Sequence, residues 1–199
     1  IMMFADAVLL GGLAIYKMWQ MDPLLAGLSM IPMCFLLLGS IVLGKYLAIR
    51  VGDVLRFSFE NLPIILAGMI FGPIVGAVVG TVADLIGCVL VGYTINPVVT
   101  AGAALIGAVS GLSYLLLNKA KVLPFWLKIT LTVTLSHLIG SVIVKTVGLA
   151  AFYSIPIWAL MLWRVLNYLI VGTLEGLILA YLLKNKMVTA QINSILRKR

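Results

Sequence analysis

One histidine, two cysteines and six acidic residues are all that 199 positions hold of the side chains enzymes use most for metal binding, nucleophilic attack and proton transfer. Cys34 and Cys88 both fall inside apolar runs, where a thiol behaves as a small buried hydrophobe. Neither a disulfide framework nor a metal site is therefore expected. The sequence has no HExxH, no GxSxG and no aspartates paired at helical spacing, which argues against a metal hydrolase, a serine protease or another intramembrane enzyme. No catalytic residue and no cofactor is expected. An internal repeat of the secondary-transporter kind, a repeated pore-lining pattern and a Walker motif are missing too. A solute moved actively by this chain would have to be powered by another subunit.

Polar residues of any kind are scarce: the chain is 63% hydrophobic and 10% charged, with mean hydropathy +1.22. Soluble domains are only about half apolar, so water is not the main solvent here. At about 20 apolar residues per crossing, the length admits roughly five to seven transmembrane helices and no separate soluble domain. The net charge of +8 comes from fourteen Lys and Arg against six Asp and Glu. These basic residues stand singly or in short clusters between apolar stretches, as orientation by cytoplasmic Lys and Arg and attraction to anionic lipid require. No basic stripe carries interleaved aromatics, so nucleic acid is not an expected partner.

Each long apolar run must be helical, because the bilayer offers no partner to open backbone groups. Residues 1–28 are apolar apart from a few polar positions such as Asp6 and Lys17. They form an extra or interfacial helix or an added segment, and they lack the basic n-region and small-residue cleavage site of a secretory signal. The membrane domain is expected over 29–183. Its helices run from about Ser29 to Ile49, Leu62 to Phe71, Ile74 to Leu90, Thr100 to Leu117, Pro124 to Leu149 and Pro156 to Leu183. The stretch Arg50 to Asn61 is too polar for lipid and is expected as an ordered loop, and Gly72-Pro73 as a tight turn. Residues 184–199 form a basic tail.

Eight of the fourteen basic residues lie in the 118–128 connection and the tail. With one helical hairpin between them, both belong on the cytoplasmic side. Walking back, Gly72-Pro73 is also inside, while the 50–61 loop, the 91–99 loop and the 150–155 connection are outside. Arg50 and Arg56 then sit on the face where the bias disfavours them, which asks for a reason other than topology.

Three groups of residues carry possible function. Gly68, Gly72, Gly76 and Gly80, spaced by four, allow close helix approach, either inside this chain or against a partner. Arg56, Phe57, Phe59, Glu60 and Asn61 from one outer loop, with Tyr93 and Asn96 from the next, suit a small anionic aromatic ligand: aromatics stack flat rings and Arg grips a carboxylate through two bonds. Equally, they suit a lid or interface belt with internal pairs such as Arg56 to Glu60. Asp84, His137, Lys145, Arg164, Asn167 and Glu175 are costly in a bilayer and so are functional candidates by default. Arg164 and Asn167 share a helix face. Lys145 lies eight residues beyond His137, about 12 Å along an α-helix. Snorkelling explains Lys145 as well, and internal hydrogen bonds explain His137. Asp84 and Glu175 are expected to pair with internal donors.

Residues 55–97, LRFSFENLPIILAGMIFGPIVGAVVGTVADLIGCVLVGYTINP, resemble the substrate-binding S components of energy-coupling factor (ECF) transporters, folate family. The likeness is carried by Arg56-Phe57-Ser58-Phe59, Leu62-Pro63, Gly68, Gly72-Pro73, Gly76, Gly80 and Asp84, and continues more weakly through 103–111 and 156–175. It implies an all-α integral membrane protein, a bundle of six transmembrane helices in the bacterial cell membrane with its C-terminus cytoplasmic. Such a protein binds a water-soluble vitamin near the outer surface, with folate ahead of pantothenate, pyridoxine or a thiamine precursor. The implied partners are a transmembrane coupling subunit (the T component) and two cytoplasmic ATPases. The implied substrate-binding set is Arg56, Phe57, Phe59, Glu60, Tyr93, Asn96, His137, Lys145, Arg164 and Asn167. The family's small-residue docking motif on the first helix is not matched: Cys34 and Leu38 fall near its register, with Gly39 and Gly44 close by.

Overall fold

A computed structural model of the chain describes residues 34–43, 49–51, 55–120 and 122–184, the two strands by their backbone. Residues 1–28 and all of the tail beyond Lys184 lie outside the described residues, as does Gly44. Among the described residues there are six helical stretches and one small β-hairpin. We label the helices α1 (34–43), α2 (Asn61–Phe71), α3 (Pro73–Val91), α4 (Pro97–Lys119), α5 (Phe125–Tyr153) and α6 (Ile157–Lys184). The strands are β1 (Ile49–Val51) and β2 (Leu55–Phe57), antiparallel, with Arg50 opposite Arg56. Helices α3 to α6 are each long and apolar enough to cross a membrane. Helix α2, with 11 residues, falls short of the roughly 20 that a full crossing takes.

Chain punctuation sets these ends. Gly72 joins α2 to α3 at φ +96°, a conformation only glycine adopts freely, and Pro73 follows as the first residue of α3, where its missing N–H costs nothing. Gly92 closes α3 in the left-handed region, and its N–H reaches back to Cys88 and Val89 carbonyls. Pro97 opens α4 behind an Asn96 cap, three residues earlier than hydropathy alone suggests. Two further boundaries differ from the sequence reading. Ile49 belongs to a strand rather than to the end of the first helix. The link between α5 and α6 shrinks to 154–156, because α5 stays helical through Tyr153.

Close packing centres on α2, α3 and α4. A methyl group placed on Gly76 would come within 2.7 Å of the Gly68 Cα and 2.8 Å of the Gly107 carbonyl carbon. One placed on Gly80 would come within 2.8 Å of the Ala103 carbonyl carbon. Gly68 likewise faces the Gly107 carbonyl and the Ser110 hydroxyl. Three of the four periodic glycines therefore form an internal seam, while Gly72 has open space around its Cα. Gly39 on α1 faces Pro63, where an added methyl would make ordinary contact at 3.6 Å. Ile64, Ile65, Ala67, Val79, Ile106 and Ile129 fill the core beside the seam, where dispersion and small-residue packing replace the hydrophobic effect as the cohesive force.

Helix α5 is not uniform. Its middle, His137–Lys145, is a π-helix, a geometry that clusters at functional sites. The Ser141 carbonyl there accepts the Arg164 guanidinium of α6 at 2.8 Å and the Thr146 hydroxyl at 3.4 Å. Such side-chain donors satisfy a carbonyl that an α-helical ladder would have used. The wider winding also shortens the advance per residue, so the 12 Å α-helical spacing between His137 and Lys145 does not apply.

Candidate functional site

The start of α2, the end of α3, the start of α4, the end of α5 and the start of α6 all lie at one end of the bundle, and between them opens a cavity of about 420 Å³. That volume is within the range of small-molecule sites. The level of its floor follows from the glycine seam. Gly80 of α3 meets Ile64 of α2 and Ala103 of α4; about one turn nearer the cavity from those three positions stand Asp84, Asn61 and Thr100. The Thr100 hydroxyl donates to Asp84 Oδ2 at 2.7 Å. Asn61 is 1% exposed, and its Oδ1 has no hydrogen-bond partner among the described residues. A buried acceptor left open costs free energy unless something fills it.

The cationic side of the cavity comes from α5 and α6. Lys145 is 4% exposed and its Nζ stands 3.5 Å from Glu60 Oε1. Its alkyl stem passes over Gly102, where any side chain would collide with it. Lys145 is thus held inside the protein rather than snorkelling to the surface. Arg164 donates only to a neutral carbonyl, and among the described residues no carboxylate pairs with it. Its charge remains to be matched, and the fork geometry of a guanidinium matches a carboxylate best. Apolar surface is supplied by Tyr93, Phe152, Tyr153, Trp163 and Tyr168. Phe152 and Tyr153 meet edge to face at 5.1 Å, and the first four of these aromatics are partly exposed, forming a rim.

The structure brings six of the ten expected binding residues to this cavity: Glu60, Tyr93, Asn96, Lys145, Arg164 and Asn167. Within that set Asn96 also has a structural task. Its Oδ1 accepts from the Val98 and Val99 N–H groups and its Nδ2 donates to the Gly148 carbonyl, capping α4 and tying it to α5. The backbone of Arg56 and Phe57 lies in β2, next to the cavity-lining Ser58; an Arg56 to Glu60 ion pair would rest on a side chain outside the described structure. Phe59 is half-buried and does not line the cavity. His137 does not line it either: at 3% exposure it is bonded to Glu175 on α6.

Sequence reasoning left out Asp84 as a lining residue and left out Trp163, Tyr168, Phe152 and Tyr153. A signal was present for the α6 group. Leu160, Trp163, Arg164, Asn167 and Tyr168 recur at three and four residues around Arg164, the spacing of one helical face. Nothing comparable marked Phe152 and Tyr153, because their helix was expected to stop before them.

The family model for the substrate-specific component of ECF transporters matches residues 21–196. No curated protein matches the chain. Among solved structures, FolT bound with folic acid is similar over 77% of this chain and 91% of that one, at 27% identity and a TM-score of 0.63. The S component of a bacterial ECF transporter is similar over 85% of this chain and 97% of that one, at 18% identity and a TM-score of 0.50, a likeness of fold. With nearly its whole length matched by the family model, this membrane-embedded chain belongs to the substrate-specific components of ECF transporters.

Proposed function

We propose that the chain captures folate at the outer face of a bacterial cell membrane. The observation that carries this reading is the cavity itself. It combines an Arg164 that meets no carboxylate among the described residues, a buried Lys145 and a set of aromatic rings within one volume of about 420 Å³. A flat pterin suits the rings, and the ligand's glutamate carboxylates suit the two cations. The Asp84 carboxylate and the open Asn61 Oδ1 add acceptors for the amino and ring N–H groups of a pterin edge. The likeness to FolT bound with folic acid supports the same ligand.

The cavity faces outward in this reading because the opposite end of the bundle carries Lys119, Lys128 and Lys184, as the positive-inside bias requires. Delivery would follow association with a transmembrane coupling subunit and two ATPases, with ATP hydrolysed by those partners and not by this chain. The test is calorimetric titration of the purified protein with folic acid, pantothenate, pyridoxine and thiamine. Folic acid is expected to bind tightest. If none of the four binds more tightly than about micromolar, a free energy near −8 kcal/mol, the capture reading is wrong. Tighter binding of one of the other three would keep capture and replace the vitamin.

A further inference from the structure

Beneath the cavity lies a pair of ionisable side chains that do not line it. His137 Nε2 is 2.5 Å from Glu175 Oε2, with the two residues 3% and 0% exposed. The His137 ring also stacks on the Tyr168 ring, centroids 4.5 Å apart and planes at 25°. Gly172, between Tyr168 and Glu175 on α6, faces the imidazole: a methyl there would sit at ordinary contact distance, 3.4 Å from His137 Cδ2. One side chain of α5 thereby grips α6 at two points seven residues apart, above and below. Ser141, one turn further along the π segment and 3.5 Å from His137 Nδ1 through its hydroxyl, presents the carbonyl that holds Arg164.

We propose that His137 and Glu175 are positioning residues of the binding site, fixing the Tyr168 ring and the Arg164 guanidinium in the cavity wall. The inference rests on the vitamin-capture reading. A hydrophobic pair of similar size would pack at least as well in a membrane interior, since a buried ion pair often contributes no net stability. What such a pair adds is direction. Glu175 Oε1 has no partner among the described residues, so the carboxyl is held by its single bond to His137 alone. That bond sets the plane of the imidazole, and the imidazole plane sets the tilt of Tyr168. A site whose groups are held this way by packing and hydrogen bonds loses less freedom on binding.

The test uses the full chain in detergent or nanodiscs, thermal unfolding for stability and folic acid calorimetry for affinity. The double variant H137L/E175M replaces the pair by apolar side chains of similar volume. It is expected to unfold within a few degrees of wild type yet to bind folic acid about tenfold or more weakly, since small displacements of positioned groups are costly. E175Q, whose amide oxygen still accepts from His137, is expected to stay within about threefold of wild type. Wild-type affinity in a stable H137L/E175M overturns the proposal, because a purely structural pair is replaceable. Should that protein not fold, H137Q decides: it keeps a donor to Glu175 but loses the stack on Tyr168, and undiminished affinity overturns the proposal equally. If wild type itself ignores folic acid, the folate reading falls, and the same variants are read with whichever of pantothenate, pyridoxine or thiamine binds. If none of the four binds, both readings fall together.

Discussion

Arg164 shows how a residue's worth depends on what its surroundings leave undone. Its guanidinium spends one N–H on a neutral carbonyl and meets no carboxylate among the described residues. A ligand carboxylate would complete it, and a charge-assisted bond of that kind contributes roughly 1.5–3 kcal/mol. Arg164→Ala is therefore expected to weaken folic acid binding by about ten- to a hundredfold, and calorimetry of the variant checks it. Lys119→Ala, at the opposite end of α4, is expected to change nothing, and Arg56→Ala to weaken binding more than Lys119→Ala does. Equal effects of the three would contradict the site. Ser154 illustrates a different kind of residue-scale term: it closes α5 in the left-handed region at φ 54°, which costs an L-residue about 1–2 kcal/mol. Ser154→Gly removes that cost against some added chain entropy. A stability gain of about 0.5–1 kcal/mol is expected, read as a raised unfolding temperature without loss of binding.

At the scale of elements, the α2–α3–α4 seam and the π segment of α5 were legible to different degrees. Glycines at 68, 72, 76 and 80 announced a close approach of helices, but spacing alone did not say what approached. The structure answers with the carbonyl groups of Gly107 and Ala103 on α4. Because the colliding atoms are backbone, they have little room to yield, and overpacking of this sort costs typically 1–3 kcal/mol or more. Gly76→Val is expected to lower the unfolding temperature and the yield of folded protein, whereas Gly72 tolerates no side chain for a different reason, its positive φ. Equal stability of Gly76→Val and wild type would mean that the seam is looser than drawn. The π segment had no signature at all in HLIGSVIVK. Within it the Ser141 carbonyl takes a local bond from Thr146 and a tertiary one from Arg164, and local hydropathy does not encode the latter. Helix α4 starts three residues before the expected Thr100 because Asn96, a ligand candidate by residue type, accepts the Val98 and Val99 N–H groups as its cap.

For the whole molecule, hydropathy and Lys/Arg asymmetry gave a sidedness, and the fold gives that sidedness a consequence. Every element that lines the cavity does so at the end opposite Lys119, Lys128 and Lys184. Trp126, beside Lys184 at 5.8 Å, adds the aromatic anchor expected at a membrane interface. If lysines mark the cytoplasm, the cavity must open outside, where a vitamin to be imported is first met. Single cysteines test this directly in cells expressing a protein whose Cys34 and Cys88 have been replaced. Tyr153→Cys, on the cavity rim and 58% exposed, is expected to react with a membrane-impermeant maleimide in intact cells, and folic acid is expected to slow it. Val122→Cys, 95% exposed between α4 and α5, is expected to react only after permeabilisation. The reverse pattern would place the cavity on the cytoplasmic side. It would also turn the basic end outward, against the rule that orients most multi-spanning proteins, and the capture reading would then have no solute to act on from outside.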